Sequence, residues 1–125
     1  MSSDKLEYPV LYVESEDFND KGELTNQALL STDKPVIVMI QSRHCGWCTQ
    51  AKPAYISSAQ KHNDIIFSVI DVDKNSDTAR KVTETSSNYM GLPHYMCYRN
   101  GKMVSDEING REEKDLVEFA FKKKN

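Results

Sequence analysis

Val36-Ile37-Val38-Met39-Ile40-Gln41-Ser42-Arg43-His44-Cys45-Gly46-Trp47-Cys48 carries more structural information than any other part of this chain. It opens on an apolar, β-branched run after Pro35, turns through polar residues and reaches two cysteines separated by two residues; helix formers follow, with Pro53 among them. Strand, CxxC, helix is an arrangement with chemical meaning. A cysteine at a helix N-terminus lies against unpaired backbone N–H groups and the positive end of the helix dipole, and both favour the thiolate, the form that attacks a disulfide sulfur. A second cysteine one turn further along can close a ring with the first.

A second apolar run, Ile65 to Ile70, ends at Asp71-Val72-Asp73. Continuous runs of this kind suit a sheet covered on both faces. About 20 residues separate the two runs, enough for a helix that crosses over to a parallel neighbour, which makes a βαβ unit with the CxxC at its strand-to-helix turn. Pro53 removes one helical hydrogen bond and clashes with the Thr49 carbonyl, so it kinks that helix rather than ending it. Upstream, Val10 to Val13 reads as a short strand and Leu24 to Leu30 as a modest helix after the turn at Lys21-Gly22. Downstream, Asn75 is placed to cap a third helix through Asp77, Ala79, Val82 and Glu84, ending before Ser86-Ser87-Asn88. After Pro93, the runs His94 to Tyr98 and Lys102 to Val104 flank Asn100-Gly101, the strongest short hairpin signal. The last helix spans Arg111 to Lys123, with Leu116, Val117, Phe119 and Ala120 on one side and Lys122-Lys123-Lys124 suiting its C-terminus. The predicted order is β-α-β-α-β-α-β-β-α, in a single α/β domain over residues 1–125 whose core spans about 8–123.

Composition narrows the function classes. A chain of 125 residues with 38% apolar content supports one ordinary core. Sixteen Lys+Arg against 19 Asp+Glu give a net charge of −3 without a basic stripe, which speaks against a nucleic-acid partner. Met1 to Glu7 has no apolar core of the secretory type, and nowhere do about 18 apolar residues run together, so no membrane span is read and a cytosolic (cytoplasmic) monomer is expected. Three cysteines make no disulfide framework, and in a reducing compartment a CxxC is more often catalytic or metal-binding than structural.

Four features in order and spacing resemble the thioredoxin family: the strand into Cys45-Gly46-Trp47-Cys48, Pro53 five residues after the second cysteine, Gly91-Leu92-Pro93 before the next strand, and Arg99-Asn100-Gly101 with Gly110 beyond. The resemblance implies a thioredoxin fold, a central mixed sheet flanked by helices on both faces, with Leu92-Pro93 in the cis form beside the CxxC. It also exposes departures. The tryptophan usual before the first cysteine is His44, and the proline usual between the cysteines is Trp47. The buried strand carboxylate is Met39 and its lysine companion Val69, so both buried charges are absent together. Glutaredoxin features, Cys-Pro-Tyr-Cys and paired glycines near the last helix, are missing.

On this resemblance the chain is expected to be a thiol–disulfide oxidoreductase acting on protein disulfides, in the reductase direction, without a cofactor and recycled by a separate reductase or oxidase. Cys45 is the candidate nucleophile and Cys48 the resolving thiol. Trp47 has little room to point inward and should offer an apolar platform, with Leu92 and Pro93 as the other wall of a groove where a substrate docks as a short added strand. Met90, Asn109 and Gly110 are rim residues by resemblance. His44 either stabilises a thiolate, relays a proton or simply sits exposed on the lip; His94 reads as a surface or sheet-edge residue, Cys97 as a buried small hydrophobe, and Asp71 and Asp73 as solvated turn residues. Two alternatives remain: a binding or chaperone-like module with little turnover, and a zinc site drawn from Cys45, Cys48, Cys97, His44 and His94. In the family the buried acid is thought to accept the resolving thiol's proton. Without it the dithiol gains stability relative to the disulfide, and the expected potential lies above the roughly −270 mV of thioredoxin.

Overall fold

The computed structural model describes residues 9–121. Five strands form one sheet: β1 Leu11–Tyr12, β2 Val36–Gln41, β3 Ile66–Asp71, β4 His94–Arg99 and β5 Lys102–Ser105, in the order β1-β3-β2-β4-β5. β3 runs parallel to both β1 and β2, while β4 is antiparallel to β2 and β5, so the sheet is mixed. Helices α1 Gln27–Leu30, α2 Gly46–Lys61, α3 Ser76–Glu84 and α4 Glu113–Phe121 complete the predicted order, with one added 3-10 turn at Ser15–Asp17. The predicted ends of the core at 8 and 122–123, and the terminal lysines, lie outside the described residues.

The unbroken apolar run of β2 has its explanation in the two layers that cover it. Ile37 and Met39 point to a core shared with Tyr55 of α2 and Leu116, Phe119 and Ala120 of α4. Val36, Val38 and Ile40 point to the opposite core with Ala79 and Val82 of α3 and Leu24 and Leu29. With both faces dry, alternation disappears and every residue of β2 is buried. Tyr55 is tied down inside by donating to the Ser68 carbonyl at 2.6 Å.

Two sequence expectations need correction. The helix foreseen over Leu24 to Leu30 is only the single turn α1: Asn26 caps it through the N–H groups of Ala28 and Leu29, and Leu24 is drawn into a bridge with Phe18 while its own N–H donates to the Gly101 carbonyl at 2.8 Å. Asn75 occupies the N-cap position of α3 but its side chain does not cap. Its Oδ1 accepts from the Ser15 N–H and hydroxyl, and its Nδ2 donates to Glu14 and to the Asp71 carbonyl, so tertiary partners outcompete the local cap.

The hairpin behaves as its sequence demands. Asn100 and Gly101 both take positive φ, 53° and 84°. Pro53 lies within α2, and the Leu92-Pro93 bond is cis.

Candidate functional site

The site begins where β2 delivers the chain to α2. Cys45 is the N-cap of α2, in extended conformation, and its Sγ accepts the Cys48 N–H at 3.1 Å, taking up one of the donors the first helical turn leaves unpaired. From across the sheet, Leu92 brings its carbonyl 3.5 Å from the same sulfur. The structure therefore brings together Cys45, Cys48 and the Leu92-Pro93 bond from segments some 45 residues apart in the chain. Cys45 is half-buried and Cys48 buried, both as thiols. Burial is the main cause that pushes the Cys48 thiol up to about 12, with the hydrogen bond to Cys45 adding to it; a backbone hydrogen bond at Ser42 and the Lys52 charge pull the other way.

Met39 and Val69 face each other in the β2–β3 register, and neither has measurable exposure. Lys52 is a residue that sequence reasoning missed. One helical turn after Cys48, it is nearly buried on the inner face of α2, and only the helical spacing from Cys48 could have pointed to it.

The turn into Cys45 is held from the side by Asp73. Its carboxylate accepts from the Ser42 hydroxyl and the Arg43 N–H, each at 3.1 Å, and Ser42 in turn accepts the His44 N–H and, through its carbonyl, the Cys45 N–H. Slight burial opposes ionisation, but these donors, with the His44 charge, hold the Asp73 carboxyl below its usual range. Asp73 is thus a turn-organising residue rather than a merely solvated one. Asp71 also departs from that expectation: it is half-buried at the end of β3, raised chiefly by burial, and accepts the Asp73 N–H at 2.8 Å.

Trp47 is 63% exposed, as its place between the cysteines requires, and the Arg111 guanidinium lies 5.8 Å from its ring centroid. Beside it runs a groove of about 410 Å³ whose lining includes Met90, Leu92, Pro93, Asn109, Gly110 and Arg111. Met90 is 96% exposed. Sequence reasoning named its neighbours Asn109 and Gly110 but passed over Arg111, whose contact with Trp47 depends on a tertiary approach that no local pattern announces.

His94 is neither a surface nor a sheet-edge residue. It lies on β4 between β2 and β5, 6% exposed, with its ring edge-to-face against Tyr89 and Nε2 3.9 Å from the Asp106 carboxylate. Burial lowers its pKa against the pull of Asp106. His44 is exposed at the lip. Cys97 is buried at the centre of β4, its sulfur directed to the Ala120 carbonyl at 3.9 Å and its thiol pushed up to about 11 by burial. Among the described residues no group of three or more His, Cys, Asp or Glu side chains is gathered to hold a metal ion.

Comparison with known proteins agrees with this geometry. The Thioredoxin family profile matches residues 12–122. A thioredoxin-like protein of Invertebrate iridescent virus 6 is 31% identical, with 93% of this chain and 95% of that protein covered. A thioredoxin of Geodia cydonium is 33% identical over 74% of this chain and 82% of its own length. Among solved structures, the first thioredoxin domain of mouse protein disulfide-isomerase A4 superposes with a TM-score of 0.69 at 24% identity, covering 93% of this chain and 76% of that one, a likeness of fold. A strand-to-helix CxxC, a cis proline beside it and a family match across nearly the whole described chain lead to one conclusion: the protein belongs to the thioredoxin family and is a thiol–disulfide oxidoreductase.

Proposed function

We propose that Cys45 and Cys48 exchange disulfides with protein substrates, working as a reductase. The Cys45 thiolate attacks one sulfur of the substrate disulfide; a mixed disulfide forms and the other substrate sulfur leaves as a thiolate that takes up a proton. The Cys48 thiolate then attacks Cys45 Sγ, closing the ring disulfide and releasing the second substrate thiol. Two electrons and two protons pass to the substrate. The observation that carries this reading is the half-buried Cys45 sulfur at the head of α2, within hydrogen-bond reach of both the Cys48 N–H and the Leu92 carbonyl. Trp47 and the Leu92-Pro93 wall then present an apolar seat, with the Leu92 backbone offering a strand-like edge to a substrate segment.

Resolution is the demanding step, because Cys48 must lose a proton that burial holds tightly. Met39 stands where the family carries an acid, so the proton leaves to water or to His44, and the Lys52 charge favours the sulfur once it is anionic. A carboxylate there would oppose thiolates; without it the dithiol is the better stabilised form and the couple is more oxidising than thioredoxin's roughly −270 mV. The proposed setting is the cytosol, where the glutathione pool and a separate reductase would return the dithiol.

Insulin reduction by the intact protein, abolished in both Cys45→Ser and Cys48→Ser, is the expected result. No turnover in the intact protein would overturn the proposal. Equilibration with glutathione buffers measures the potential, and a value at or below that of thioredoxin would refute the part assigned to Met39.

A further inference from the structure

The lip of the groove carries a cation seated on a ring instead of a carboxylate. Arg111 lines the groove and its guanidinium lies 5.8 Å from the Trp47 ring centroid. Among the described residues, no carboxylate stands within ion-pair distance of it. Four acids that line the groove or follow Arg111 in the chain, Asp106, Glu107, Glu113 and Asp115, have other partners. Glu113 takes His62 and Lys61 at 2.8 and 3.3 Å, Asp115 takes the Glu112 N–H at 3.1 Å, and Asp106 takes two N–H groups of Asn88 at 2.9 and 2.8 Å. Glu107, which also lines the groove, has a partner as well.

A guanidinium held over an indole keeps its N–H fork available, and the ring limits the freedom that ion pairing would otherwise cost. A carboxylate is the group that fork fits best. We propose that Arg111 is a specificity-determining residue, selecting substrates that carry an acidic side chain next to the disulfide and drawing that carboxylate to the Trp47 side of the groove. This rests on the dithiol reading above and adds the substrate class to it. The chemistry is unchanged: the substrate S–S bond breaks, the Cys45–Cys48 bond forms, two electrons and two protons end on the substrate sulfurs, and the carboxylate stays ionised.

The test uses the pre-reduced protein in single turnover, without a recycling partner. Cyclic disulfide peptides differing only by Glu, Gln or Lys beside one cysteine are mixed with it at low salt, quenched in acid and the peptide thiols quantified. The Glu peptide should react roughly two- to fivefold faster than the Gln peptide, the size of an exposed ion pair, and the ratio should fall towards one in high salt. Arg111→Gln should abolish the ratio, Arg111→Lys should keep part of it, and Arg111→Glu should turn it over in favour of the Lys peptide, a reversal that a merely structural role could not produce. Equal rates with the native protein, or a preference unchanged in Arg111→Gln, would overturn the proposal while leaving the dithiol reading intact. Failure to reduce any of the peptides would overturn the dithiol reading itself and this proposal with it.

Discussion

Cys48 and Cys97 are sulfurs the solvent does not reach, with thiols pushed up to about 12 and about 11 by burial, whereas Cys45 is half-exposed at a helix start. Iodoacetamide at pH 8 should therefore label Cys45 alone in the folded, reduced protein, with the other two appearing only after denaturation; peptide mapping by mass spectrometry reads this directly. Comparable labelling of Cys48 would mean that the first turn of α2 opens readily. A second residue-scale prediction concerns Asp73, which holds the turn before Cys45 by hydrogen bonds from Ser42 and Arg43. Asp73→Ala should cost about 1 kcal/mol in denaturant midpoint and slow single-turnover disulfide reduction, while Asp73→Asn, which retains an acceptor, should recover much of both. The contrast between the two CxxC sulfurs was legible from the sequence, because a helix start exposes its cap and turns the residue one turn later inward. Asp73, Lys52, His94 and Arg111 were not, since each owes its environment to a segment distant in the chain.

At the scale of elements, periodicity told most where packing is most uniform. The β2 and β3 runs, the Asn100-Gly101 hairpin and the apolar side of α4 were all readable, each a local pattern that the tertiary structure reinforces. The losses came where a nonlocal partner claimed a group that local rules had already spent: Leu24 by the hairpin, and the Asn75 side chain by Ser15 and Glu14. The same contact makes the hairpin sensitive. Gly101 sits at φ 84°, and a Cβ there would fall 2.5 Å from the Leu24 carbonyl oxygen. Gly101→Ala should lower stability by roughly 1–3 kcal/mol, measurable as a shifted urea midpoint. On β2, Met39→Asp puts an unpaired charge against Val69 and Tyr55 in a dry core and should cost roughly 3–5 kcal/mol at neutral pH, less in acid where the carboxyl is neutral.

For the molecule as a whole, buried titratable groups set the pH range of stability. Cys48 and Cys97 are held as thiols in the fold, while in the unfolded chain they ionise near the ordinary value of 9.0. Above that value the unfolded state binds fewer protons than the folded one, so stability falls as pH rises, by up to about 1.4 kcal/mol per pH unit for each thiol. The buried phenols of Tyr55, Tyr95 and Tyr98 act in the same direction at slightly higher pH. At the other end His94 stays neutral in the fold, so below its ordinary 6.5 the unfolded chain binds the extra proton and stability falls again. Urea titrations should show a plateau between about 7 and 9 with losses on both sides. The contact between Met39 and Val69 has a last consequence, for how such a protein can change over generations. A charged replacement at either position alone strands an ion without its counterpart, so the route to an acid–base pair here needs two substitutions at once or a neutral polar stepping stone. This part of the core is thereby guarded against acquiring a charge through any one mutation.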